Sequence, residues 1–173
     1  MYRAVALIEL LITLVIIIIS IYFISPILFR IQIPILLNNE IDQIKTFIYK
    51  IQTQARYKKQ RYSLTISQNK TTYDWCIIAI EKHSSKEIIC DCLNITNCKL
   101  ASSYYIYKSK LKNLELKSKN IYPNSFMNIY GNSGHLETVC LGLKYNQYQK
   151  VIQFDASGII NVAQDNKRTK CRE

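Results

Sequence analysis

Residues 5–29 read VALIELLITLVIIIISIYFISPILF, an apolar run whose only charge is Glu9. Coiled as a helix at 1.5 Å per residue, this run spans about 37 Å. That length exceeds a bilayer core of about 30 Å. Arg3 precedes the run and Arg30 follows it. A secretory signal would be shorter and would end in a small-x-small cleavage site, which is not found here. A plain membrane anchor satisfies the hydropathy but leaves Glu9 unexplained. A carboxylate at membrane depth costs a few kcal/mol, so such groups usually carry a partner or a task.

The rest of the chain is basic and of domain size. The protein has 173 residues, a net charge of +11 and a pI near 9.4. Outside the apolar run it is long enough for one domain. Its basic balance draws it towards polyanions such as nucleic acid, anionic lipid or acidic proteins. The richness in Ile, Lys, Asn and Tyr is also the bias of AT-rich coding. All six cysteines, Cys76, Cys90, Cys92, Cys98, Cys140 and Cys171, come after the apolar run. An even count beyond a membrane segment implies disulfides in an oxidising compartment. Zinc is the weaker reading. Cys90 and Cys92 are too close for a finger pair, no second pair comes after them, and His83 and His135 stand alone.

With Ala4, Val5, Glu9 and Pro26 in place, the N-terminus resembles that of type IV prepilins and type II secretion pseudopilins. Those chains have a short basic leader, a cleavage point and a Phe-Thr-Leu-Ile-Glu-Leu-like opening to a long apolar helix. The resemblance implies a leader of residues 1–4 and cleavage between Ala4 and Val5 by the prepilin peptidase. Glu9 then occupies the family's glutamate position in the mature chain, and Pro26 its helix proline. The chain departs from the pattern at Ala4 and Ile18, where the family carries glycine, at Val5 (Phe) and at Ala6 (Thr). The implied role of Glu9 is to pair with the free or methylated amine of Val5, on its own or a neighbouring subunit. In an apolar fibre core such pairing turns a costly lone charge into a registering contact.

Pro34 is expected to bend or interrupt the helix, because proline lacks the backbone donor and crowds the preceding turn. Beyond it, Ile41, Ile44, Ile48, Ile51 and Ala55 recur at steps of three and four, the period of an amphipathic helix. Lys45, Lys50 and Gln54 fall on the other side. Arg56, Lys58, Lys59 and Arg61 close it with cations suited to a helix C-terminus. Strands are expected at 62–67, 75–80, 86–90 and 135–143, and on both sides of the DASG turn at 155–158. Residues 99–120, rich in lysine (Lys108, Lys110, Lys112, Lys117, Lys119) and tyrosine, fit either a strand pair or a loop. If 75–80 and 86–90 form a hairpin, Cys76 and Cys90 lie opposite one another. Of the fifteen complete pairings that six cysteines allow, that bridge is then the first choice, with Cys92–Cys98 and Cys140–Cys171 beside it.

The expected class is therefore α+β, a pilin fold. Residues 5–29 form the membrane or filament-core helix, 30–61 an amphipathic helix, and 62–173 a disulfide-bonded antiparallel β head in the periplasm. The segment VIQFDASGIINV, with Cys171 after it, and the segment QARYKKQRYSLTI resemble GspH/FimT-type minor pilins. The implied function is a subunit of a type IV pilus or type II secretion filament, at the initiating tip. The implied partners are other pilins, the prepilin peptidase and the inner-membrane assembly platform.

No phosphate loop, His-Glu-x-x-His or G-x-S-x-G motif occurs, so no enzyme activity, cofactor or metal is expected. Two alternatives stand beside the filament subunit. One is a minor pilin that binds DNA for uptake, through Lys58, Lys59 and Arg61 with the tail cations Lys167, Arg168, Lys170 and Arg172. The tail lacks the Gly-Arg-x-Arg-like motif of such pilins. The other alternative is an unrelated single-pass membrane protein with a periplasmic domain.

Overall fold

The computed structural model describes residues 2–83, 88–98 and 102–164, without the side chains of 2–7, 26–30 and 164. The chain divides into two units, Met1–Leu37 and Asn38–Glu173. A single helix, α1 (Tyr2–Lys58), supplies most of the first and the opening of the second. Neither Pro26 nor Pro34 interrupts it, which corrects the expectation of a break at Pro34. A proline removes one donor from the ladder, and the turns on either side remain hydrogen-bonded in the helix.

In the second unit the expected apolar side of α1 is buried. Ile44, Ile48, Ile51 and Ala55 are 0% exposed and Ile41 is 2% exposed. Each isoleucine so placed contributes about 1.5–3 kcal/mol of transfer free energy. The helix stops without a glycine. Lys59 takes φ 54° and the Gln60 N–H reaches back to the Ala55 carbonyl. This left-handed cap satisfies a terminal carbonyl of the last turn. Gly131 lies against it so closely that a Cβ there would sit 2.4 Å from the Gln60 carbonyl oxygen.

Two antiparallel sheets complete this unit. The first has the order β3-β2-β1-β5, from β1 (Arg61–Gln68), β2 (Trp75–Lys82), β3 (Tyr104–Lys108) and β5 (Met127–Ile129). The second has the order β4-β6-β7-β8, from β4 (Glu115–Lys117), β6 (Val139–Tyr145), β7 (Tyr148–Phe154) and β8 (Ile160–Gln164). Strand pairing puts Tyr62, Leu64 and Ile66 on one face of the first sheet with Ile77, Ala79 and Glu81. Opposite residues in an antiparallel pair share a face, so Ser63, Thr65 and Ser67 share the other with Ile80, Ile78 and Cys76. In the second sheet Leu141, Leu143, Ile152 and Phe154 share a buried face. Phe126 meets Phe154 edge-on at 5.6 Å.

The expected hairpin of 75–80 with 86–90 does not form. Both edges of β2 are already occupied, by β1 and β3. Residues 88–90 are irregular, and Ile88 and Cys90, with Cys92, Ile95 and Cys98, pack on the Cys76, Ile78, Ile80 face. Crossing a face rather than extending an edge changes the cysteine geometry. The bridges are Cys76–Cys92 and Cys90–Cys98, in place of the expected Cys76–Cys90 and Cys92–Cys98. Cys140 is also disulfide-bonded, while Cys171 lies outside the described residues. The described part of the lysine-rich stretch, residues 102–120, is neither a strand pair nor a loop. Its strands β3 and β4 belong to different sheets.

Candidate functional site

The N-terminal unit presents one chemical feature. Ile8–Ser25 has a mean hydropathy of 2.6 and none of it is buried, which makes this helix long and apolar enough to cross a membrane. Ile8, Ile21 and Phe23 are each more than 60% exposed. Two of the four hydroxyls in the window, those of Thr13 and Ser20, are satisfied by the helix itself. Thr13 Oγ1 donates to the Leu10 carbonyl at 2.8 Å and Ser20 Oγ to that of Ile16 at 2.7 Å. In hydrocarbon every polar group needs such an internal partner. Glu9 is the one charged residue of this window. It is exposed, and among the described residues it has no ion-pair partner. The backbones of Ala4, Val5 and Pro26 belong to α1, and their side chains lie outside the description. The arrangement provides an apolar rod with one carboxylate near its start, able to enter a bilayer or a bundle of like helices.

The rest of α1 is held to the sheets by polar contacts as well as by its isoleucines. Glu40 is buried and accepts a 2.7 Å hydrogen bond from the Tyr107 hydroxyl. Burial, then this hydrogen bond, pushes the Tyr107 phenol well above its ordinary range. The Tyr107 ring lies between Phe47, at 5.8 Å, and Trp75, at 5.7 Å. At the far end Lys58 donates to Glu81 at 3.3 Å and the Tyr62 hydroxyl approaches the same oxygen at 3.5 Å. The hydrogen bond to Glu81 raises the Lys58 ammonium above its usual value, and burial raises the Tyr62 phenol. Between these ends, buried Gln52 donates from Nε2 to the carbonyls of Gly134 at 3.1 Å and Gly158 at 3.3 Å. Glu40, Gln52 and Glu81 do not stand out in the sequence. Gln52 borders the apolar side at one step of four from Ile48, and that position is the one signal available.

The basic residues expected to meet DNA are only partly brought together. Lys58 is engaged by Glu81. Arg61 lies over the Tyr130 ring at 5.3 Å, and with Lys59 and His135 it lines a groove of about 430 Å³. Lys167, Arg168, Lys170 and Arg172 lie outside the described residues.

The class so defined is α+β, with an N-terminal apolar helix, two antiparallel sheets and disulfides. No family model matches the chain, and no solved structure matches it. A protein of Haemophilus influenzae, described as an uncharacterized protein, is 29% identical over 173 residues, 99% of either chain.

Proposed function

We propose that this chain is a minor pilin or pseudopilin, anchored in the inner membrane with its head in the periplasm and then drawn into a filament through its N-terminal helix. The observation that carries this reading is the single carboxylate, Glu9, in an otherwise apolar stretch of α1, Ile8–Ser25, none of which is buried. A permanent membrane anchor gains nothing from Glu9, since the group opposes insertion. A helix that leaves the bilayer to pack among copies of itself gains a unique pairing site for the amine freed at Val5. The buried second half of α1 supports the reading mechanically. Tyr107–Glu40, Gln52 and Lys58–Glu81 grip the helix at both ends and in the middle, so a pull on α1 is borne by the whole head.

The test is incorporation. Glu9→Ala is expected to reach the membrane fraction at the normal level and to be missing from filaments sheared from the cell. Wild-type amounts of the variant in sheared filaments would refute a pairing role for this carboxylate.

A further inference from the structure

A second site lies on the head, apart from the assembly helix. Trp75, Leu93, Leu111, Lys108, Lys110 and Lys112 line a groove of about 530 Å³ beside the edge strand β3. The three lysines are exposed, and among the described residues none has an ion-pair partner. Trp75 is 2% exposed, yet its indole Nε1 has no hydrogen-bond acceptor among the described residues. Leu93, 37% exposed, adds an apolar patch to the same groove. The lining therefore combines positive charge with apolar surface.

We infer that this groove binds an extended acidic peptide segment of a partner protein, with carboxylates meeting Lys108, Lys110 and Lys112 and an apolar residue resting on Leu93 and Leu111. Two observations favour a peptide over nucleic acid. Trp75 is too buried to offer a ring face for base stacking, the usual source of affinity for single strands. Asp74 also lines the groove and reduces its charge excess, which disfavours a continuous phosphate backbone more than a few spaced carboxylates. The inference does not depend on how α1 is used.

Trp75 is the only tryptophan in the chain, and it lines this groove, so tryptophan emission is sensitive to a ligand bound there. Full-length protein in non-ionic micelles is titrated with a short peptide of alternating glutamate and leucine, with its glutamine analogue, and with oligothymidylate. The glutamate peptide is expected to shift the Trp75 emission with a salt-dependent affinity, and the glutamine analogue to bind at least about tenfold more weakly. The triple variant K108A, K110A and K112A, checked for an unchanged circular dichroism spectrum, is expected to lose about tenfold in affinity, the scale of three exposed charge pairs acting together. No emission change with the glutamate peptide, unchanged affinity in the triple variant, or tighter binding of oligothymidylate would each overturn the assignment.

Discussion

Removing the bridge between Cys76 and Cys92 tests both the topology of the first sheet and the role of the segment laid across it. The two cysteines are 16 residues apart and both are buried, at 0% and 2% exposure. Closing a loop of that size removes enough unfolded-state entropy to stabilise the fold by about 3 kcal/mol. The double variant C76A/C92A keeps Cys90–Cys98 intact and puts no hydroxyl into the buried cluster. With a urea dependence of about 2 kcal/mol per molar, the unfolding midpoint should fall by about 1.5 M. Trp75 emission, one residue from the bridge, is the readout. The connectivity itself can be read by double digestion under non-reducing conditions. Trypsin cuts after Lys82, Lys86 and Lys99, and an Asp-specific protease cuts before Asp74 and Asp91. The pairing Cys76–Cys92 with Cys90–Cys98 leaves three fragments, 74–82, 87–90 and 91–99, joined in one species. The hairpin pairing would instead release 91–99 as a separate, internally bridged fragment. Recovery of that free fragment would establish the hairpin pairing instead, and a midpoint shift under about 0.3 M would show that the Cys76–Cys92 bridge does not stabilise the head.

Other expectations concern the clamp on α1. Gly158 has φ +87°, and a Cβ there would lie 3.0 Å from Gln52 Nε2 and 3.2 Å from the Gly134 carbonyl oxygen. Gly158→Ala should therefore cost about 1–3 kcal/mol through backbone strain and displacement of Gln52, read as a lowered urea midpoint. Gly131→Ala meets backbone rather than a side-chain end, at 2.4 Å from the Gln60 oxygen, and should lower thermal stability further than Gly158→Ala does. Tyr107 and Tyr62 are raised from 10.0 and Lys58 from 10.5. Because all three folded-state values lie above the unfolded ones, their stabilisation is complete below about pH 10. It is lost as the pH climbs past the unfolded values, so the urea midpoint should fall steeply between about pH 10 and 11. Tyr107→Phe should flatten that fall.

What could be read in the sequence divides by the range of the interactions involved. The apolar run, the isoleucines of α1 and strands β1, β2, β6, β7 and β8 are repeating local patterns, and periodicity reveals them. Pairing between strands is another matter. The segment EKHSSKEIIC looks like the turn and second arm of a hairpin. The competing partner of β2 is Tyr104–Lys108, distant in sequence and hidden among lysines. Once β3 occupies that edge, the cysteine segment is displaced onto the face, and the bridges result from this displacement. The polar groups that clamp the helix were illegible for a related reason. Glu40 becomes a buried acceptor only because Tyr107 arrives from 67 positions away. Single short strands such as β4 and β5 carry too few residues to display a period. Of the candidate site, Glu9 was legible because it breaks a uniform background, whereas the groove at Trp75 exists only in the folded head.

The central claim is that α1 serves first in the bilayer and then among other subunits, with Glu9 paired to a newly exposed amine. Mass spectrometry of the mature N-terminus, on protein taken from its own cells, tests this most directly. The expected chain begins at Val5 and carries a methylated amine. A chain that retains Met1, or one cut after the apolar run, would contradict it.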